Sequence, residues 1–206
     1  MDERLPLFPL GIVLLPGELA ALHIFEERYK RLIGRCRETG DAFGIVLQQG
    51  ESQEDVGCTA SIVVVAQEFS DGRLNIIVRG GARFKVVRLL PPDDPLAEPA
   101  SADIQLVADV PSEVSPESAA EVDELFTQAL GLTGMHQLQG LGAEVPLSYA
   151  VGGVLAMDTA LKQRLLQLRE EQVRLYLVAG FLRLLVPRLE RWKSREDAIR
   201  GNGKGH

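Results

Sequence analysis

The stretch HIFEERYKRLIGRCRETG, His23 to Gly40, places an aromatic, adjacent carboxylates, a tyrosine and several basic side chains directly after an apolar segment. Two readings compete for it: a cluster of reactive groups, or a helix set among strands. At about 100° per residue, Phe25, Tyr29, Leu32, Ile33 and Cys36 share one helical face, the expected core face. Glu26 with Lys30, and Glu27 with Arg31, stand four residues apart in the favourable order, worth about 0.2–0.5 kcal/mol per pair. Acids lead and bases follow, as the helix dipole prefers, and Gly40 suits the position just past the end. Neighbouring positions diverge by about 100°, so Glu26 and Glu27 cannot flank one substrate atom as an acid/base pair must. The stretch therefore reads as a helix near residues 25–39. Arg28 borders its apolar stripe, where a charge needs a partner. With Glu26 it is expected to tie the helix to the surrounding strands.

Around this helix the first half of the chain reads as β structure. LPLFPLGIVLLPG, from Leu5, is apolar but interrupted by Pro6, Pro9 and Pro16, which suits edge or bulged strands because proline lacks a ladder donor. Phe43–Gln49 and Gly57–Phe69 are β-branched runs bounded by turn residues. Ser70–Arg73 (SDGR) is an Asp-Gly hairpin signal between two apolar runs. LNIIVRG then pairs back, Gly80-Gly81 marks a turn needing positive φ, and ARFKVVRLL follows as a further strand whose Phe84 enters the core. SADIQLVADV is the last strand. Six or seven short strands with tight turns suggest a small, mostly antiparallel closed or half-open barrel.

The second half is helical. Ser115 suits an N-cap, Pro116 the first helical position, and acids fill the first turns. GLTGMHQLQGLG breaks the pattern, PLSYAVGGVLAM is a short helix, and Asp158 caps TALKQRLLQL. The longest run follows, with Val173, Leu177, Gly180, Phe181, Leu184 and Leu185 on one face at helical spacing. The expected division is a barrel over residues 1–112 carrying the helix near 25–39, a helical subdomain over 113–192, and a disordered tail over 193–206. The fold class is α+β.

Composition narrows the function classes. The 206 residues are 46% hydrophobic and 25% charged, ordinary for a soluble globular protein, and no apolar run reaches the roughly 20 residues that cross a bilayer. The start, MDERLPLFPL, lacks the basic-then-apolar layout of a signal peptide, so a cytoplasmic location is expected. Cys36 and Cys58 are too few for a disulfide framework. His23, His136 and His206 form no cluster with metal-ligand spacing, so neither metal nor cofactor is expected. Residues 1–88 hold 11 basic and 12 acidic side chains, 89–161 hold 12 acids and no Lys or Arg, and 162–206 hold 11 basic and 5 acidic, which sums to −7. This balance argues against nucleic acid as a partner, and the Arg residues of the last helix read as a solvated face. GGARF is not followed by a helix start with lysine, and GxSxG and HExxH are absent, so no catalytic residue is assigned.

Several spaced motifs together resemble a known family. LPLFPLGIVLLPGELAALHIFEERYKRLI, FGIVL, VGCTASI, DGRLNIIVRGGARFKV and LKQRLLQL look like the Lon N-terminal, or substrate-binding, domain, in that family's order and over most of the chain to about Trp192. The resemblance implies a PUA-like, mostly antiparallel β-barrel followed by a C-terminal helical bundle. The matching structural positions are Pro9, Pro16, Gly17, Phe25, Glu26 and Arg28, then Tyr29, Gly57, Gly72, Arg83 and Phe84. Glu27 departs from the pattern, where the family often has proline. In the full-length protease this domain precedes ATPase and Ser-Lys protease modules. The sequence here contains no Walker A motif, so a stand-alone, non-catalytic protein is expected and a peptidase label would rest on the family name alone.

The resemblance implies a polypeptide-binding module that takes unfolded or partner proteins through exposed apolar surface. The candidate residues are Leu132, Met135, Leu138 and Leu141, in the glycine-rich link, where Met and Leu adapt to varied partners; the same four could instead pack under the barrel. Three alternatives stay open. One is an adaptor docking a specific folded partner, and another is an RNA-binding PUA-like module. The third is a hydrolase using Cys36 or Cys58 with His23. No membrane partner is expected.

Overall fold

The computed structural model describes residues 3–134 and 145–202. Its elements are β1 (Glu3–Leu10), β2 (Leu19–Ile24), α1 (Glu27–Thr39), β3 (Phe43–Gln49), β4 (Ser52–Gln53), β5 (Val56–Glu68), β6 (Leu74–Leu90) and β7 (Ser101–Leu106). Four helices follow: α2 (Pro116–Thr133), α3 (Leu147–Val154), α4 (Thr159–Gln167) and α5 (Glu171–Asn202). Strands pair in the cycle β1-β7-β6-β5-β3 and back to β1, which closes a ring. Among the described residues, only the β1–β3 pairing is parallel. β2 adds to β6 outside the ring, and β4 to the end of β3. The mostly antiparallel barrel followed by helices thus agrees with the α+β expectation.

The prolines of β1 do not make it an outer edge. Residues 3–6 pair with β7 alone and residues 7–10 with β3 alone, so each half of β1 is laddered on one side. A missing proline N–H at Pro6 or Pro9 can therefore face the unpaired side without breaking the ladder. β6 also differs from expectation, because it runs unbroken through Gly80-Gly81. Neither glycine has positive φ. Their role is close approach: a Cβ on Gly80 would strike the backbone of Leu15. Three register shifts between β5 and β6 bend that pair and help to close the ring. The SDGR turn is as expected, with Gly72 at φ +79°.

Helix α1 starts two residues later than the sequence suggested. Glu26 has extended backbone (φ −76°, ψ 137°) and serves as the N-cap, and Gly40 closes the other end by donating to the Cys36 carbonyl at 2.9 Å. Tyr29, Leu32, Ile33 and Cys36 are buried, and the Tyr29 ring stacks on Phe8 with centroids 3.9 Å apart. Phe25 lies before the cap and off the helical lattice, so it is 60% exposed rather than in the core. The ion pairs shift for the same reason. Glu27 pairs with Lys30 at 2.8 Å, while Glu26 turns to Arg28 at 2.7 Å. That second pair shares a cleft with Pro95 and Leu96 of the β6–β7 connection.

The helical caps follow their local signals. Ser115 Oγ accepts from the Ser118 amide at 3.4 Å, with Pro116 in the first turn, and Asp158 accepts from the Leu161 amide at 2.8 Å. Helix α5 continues past Trp192 to Asn202. Its buried side is Leu175, Val178, Ala179, Leu182 and Val186, opposite the stripe picked out by spacing. Side chains from the strands and from α1, α2, α3, α4 and α5 belong to one continuous core, and a smaller cluster of Leu5, Leu7, Val46, Phe84, Ala102 and Ile104 fills one part of the ring.

Candidate functional site

The motif Pro16-Gly17-Glu18 makes the first link between ring and helices. Gly17 takes φ +79°, which favours glycine, and its amide donates to the Gly80 carbonyl at 2.8 Å. Gly80 donates in return to the Glu18 carbonyl at 2.9 Å. The Glu18 carboxylate is buried, accepts from the Leu15 amide at 2.9 Å, and receives Lys162 Nζ of α4 at 2.5 Å. Burial pushes this carboxyl above its usual 4.5, although Lys162 pulls the other way. A carboxyl raised by folding binds its proton more tightly in the folded chain. Its stabilising contribution is full below 4.5 and is lost as pH rises through the raised folded value. The variant Glu18→Gln cannot ionise, so its stability relative to the parent is expected to improve as pH rises from below that value to neutrality. Paired thermal melts across this range check the trend; a constant difference, or one moving the other way, contradicts it.

A second link is the buried cluster around Arg83 and Arg174. Arg83, at a family-motif position on β6, donates to the carbonyls of Leu166 (3.0 Å) and Leu168 (2.6 Å) and pairs with Asp109. Arg174 of α5 is 0% exposed. It binds Asp109 through both terminal nitrogens (2.9 and 2.5 Å), Glu171 and Ser148 through Nε (2.9 and 3.0 Å), and the Leu168 carbonyl at 2.9 Å. Its guanidinium lies 4.4 Å from the centre of the Tyr149 ring. Burial pushes the Tyr149 phenol up to about 12, so it stays neutral. The charged groups are spent on one another, and the cluster acts as a clamp between barrel and bundle.

The thiols and the histidine do not form a reactive set. Cys58 is buried between the carbonyls of Thr59 (3.4 Å) and Gly81 (3.5 Å), and burial raises its thiol to about 12. Burial also raises Cys36. A thiol with a raised value is a weak nucleophile at neutral pH. His23 sits elsewhere, with Nδ1 2.6 Å from Asn75 Oδ1 and its ring against Phe25 and Phe69. Among the described residues, no group of three His, Cys, Asp or Glu side chains could hold a metal ion, and no helix is long and apolar enough to cross a membrane.

What remains open is apolar surface. Between α4 and α5 runs a groove of about 500 Å³ with Leu161 on one wall and Leu177, Phe181, Leu184 and Leu185 on the other. Gly180 sits among the α5 residues, and a Cβ there would meet nothing within 4 Å. Tyr176 and Leu184 are 61% and 65% exposed. Asp158 and Arg188 are the charged residues of the lining. A cleft of similar volume between α1 and the start of β1 has a more polar lining that includes Arg4, Arg35, Thr39 and Asp41.

Of the α5 stripe read from spacing, Leu177, Gly180, Phe181, Leu184 and Leu185 line this open groove and Val173 does not; Leu177, Phe181 and Leu185 are half-buried and also pack against the core. Tyr176 and Leu161 carry no sequence signal of their own beyond the fact that α5 is apolar on both sides, more than one core-facing stripe requires. Of the binding residues expected from the link, Leu132 lies half-buried at the end of α2, packed against the core. Met135, Leu138 and Leu141 lie outside the described residues. Among the structural motif positions, Gly57 is buried in β5 where a Cβ would meet Phe84 Cζ at 2.6 Å, and Phe84 is fully buried.

Among curated proteins, none matches the chain. The crystal structure of a Lon N-terminal domain protein from Xanthomonas campestris is similar, with 27% identity, a TM-score of 0.67, and coverage of 86% of this chain and 98% of that one. The N-terminal domain of the Mycobacterium avium complex Lon protease shares the fold, with 16% identity, a TM-score of 0.64, and coverage of 87% and 98%. The sequence model of the ATP-dependent protease La (LON) substrate-binding domain matches residues 4–183. By that match, with the ring of strands and trailing helices it shares with those structures, the chain belongs to the LON substrate-binding domain family.

Proposed function

We propose that this chain is a non-catalytic polypeptide-binding module that takes up unfolded or partner proteins in the groove between α4 and α5. Family membership supports the polypeptide as partner. The observation that carries the location is the groove itself, an open apolar channel of about 500 Å³. Its walls come from two helices held to the barrel by the Lys162–Glu18 pair and the Arg174 clamp. Apolar surface recognises unfolded segments without demanding one sequence. Burying one leucine-sized side chain contributes about 1.5–3 kcal/mol, so two or three contacts are enough for measurable affinity.

The test is fluorescence anisotropy of a labelled, chemically unfolded test protein against the chain. Leu184→Asp and Tyr176→Asp are expected to weaken binding about tenfold or more, which corresponds to about 1.4 kcal/mol or more. Both side chains are exposed, so the melting temperature should stay nearly unchanged. Full affinity in both variants overturns the location. Leu138→Asp with Leu141→Asp serves as the comparison, because a loss confined to that pair would move the site to the link after α2.

A further inference from the structure

Resting on that reading of the groove, we infer that its occupant is an amphipathic helix whose flank carries carboxylates, lying along α5 toward its C-terminal end. The rim has two charged residues of opposite sign, and the negative one is partly offset by the helix N-terminus that it caps. Asp158 already accepts the Leu161 amide as the cap of α4. Arg188 has no carboxylate partner among the described residues, so it is left to meet a carboxylate of an occupant. The same stripe continues beyond it at helical spacing through Trp192, Arg195 and Ile199. Trp192 and Ile199 are 56% and 74% exposed. Arg191 at the edge of this stripe and Arg195 within it also have no ion-pair partner among the described residues. Apolar and basic side chains thus alternate along one face of a helix that outruns its own core.

The other flank of α5 shows how such a face is met. There α2, an acidic amphipathic helix, buries Val122, Phe126 and Ala129 and lays Glu121 against Arg183 in two hydrogen bonds of 2.7 Å each. An incoming helix of the same chemistry would repeat this arrangement on the open flank. Gly180 helps it, because the absent side chain leaves a hollow into which a ridge of the partner can settle. From Leu177 to Trp192 the face is roughly 23 Å long at 1.5 Å per residue, which matches a partner helix of about four turns. Phosphates of a nucleic acid could meet Arg188 and Arg195 but would leave the leucine walls exposed to water.

Three fluorescein-labelled synthetic peptides of equal length test the assignment on the full chain. The first has leucines at helical spacing flanked by glutamates, the second replaces the glutamates by lysines, and the third scrambles the first to break the apolar stripe. The first should bind at least about tenfold more tightly than the other two at low salt, with the gap over the lysine peptide narrowing as salt screens exposed charges. Arg188→Glu combined with Arg195→Glu should reverse the preference between glutamate and lysine peptides. Leu184→Asp should weaken both. Equal binding of the glutamate and lysine peptides overturns the charge assignment but leaves the groove as an apolar polypeptide site. Binding of all peptides indifferent to Leu184→Asp overturns the groove reading itself. Competition by a single-stranded RNA that is lost in the double arginine variant would give the basic stripe to nucleic acid. Leu184-dependent self-association in sedimentation would give the groove to a second copy. Either of these last two results also overturns the proposal.

Discussion

Replacing Arg174 with alanine is expected to destabilise the chain by about 3–5 kcal/mol, the usual cost of removing one partner from a buried ion pair. The side chain is fully buried and contacts Asp109, Glu171, Ser148 and the Leu168 carbonyl. Without it, the Glu171 carboxylate keeps, among the described residues, Ser148 alone, through its hydroxyl (2.6 Å) and amide (3.0 Å), in a site where its side chain is 18% exposed. Asp109 is more open and keeps Arg83, so its share of the loss is smaller. A cavity beside the Tyr149 ring adds to the cost. Arg174→Lys should recover little, because an ammonium cannot span contacts made by all three guanidinium nitrogens. Urea unfolding checks this through a lower midpoint at unchanged slope. A loss below about 1 kcal/mol would mean that the buried ions contribute little beyond what neutral packing would. Because the clamp joins β6, the β7–α2 link, α3 and α5, near-ultraviolet circular dichroism, to which the buried Tyr29 and Tyr149 contribute, and far-ultraviolet circular dichroism should report one shared transition.

The parts of this fold that were legible in the sequence are those with local causes. Asp71-Gly72 makes its turn, Ser115-Pro116 and Asp158 start their helices, and Gly40 ends α1 because each signal acts within a few residues. Phe25 shows the limit of that reasoning. Helical spacing extends backward through it, but the chain enters α1 from β2 with Glu26 still extended, and this places Phe25 on the surface beside His23. Gly80 shows a second limit. Two adjacent glycines read as a turn, yet the strand continues, and what requires Gly80 is the backbone of Leu15, distant in sequence. The α5 stripe shows a third. Its residues and their shared face were visible, but which of two apolar faces is covered depends on where α2 and α3 pack. The candidate groove was therefore half legible: one wall could be read from α5, while Leu161 and the opening itself come from tertiary packing.

Gly80→Ala is expected to cost up to about 3 kcal/mol, at the upper end for overpacking a filled site, whereas Gly81→Ala next to it should cost less than about 1 kcal/mol. Neither position has positive φ, so backbone conformation cannot separate them. The neighbours do. A Cβ at Gly80 would lie 2.9 Å from the Leu15 carbonyl carbon, nearer still to its oxygen, and 3.1 Å from Leu14 Cγ. The Leu15 backbone has no easy retreat, because its amide is held by Glu18 and the same turn exchanges two hydrogen bonds with Gly80. A Cβ at Gly81 would instead meet Thr59 Oγ1 at 2.5 Å, a side-chain atom that rotation can move away. Alanine there also limits the unfolded chain more than glycine does, which offsets part of any residual strain. The displaced turn carries Glu18, and Glu18 holds Lys162 of α4, one wall of the groove. Gly80→Ala should therefore also weaken polypeptide binding by molecules that remain folded, while Gly81→Ala leaves it intact. Melting and binding measured on the two variants side by side separate the causes: equal losses would mean that the glycine pair is needed for its conformation, and a loss confined to Gly80 would mean that it is needed for the space it leaves to Leu15.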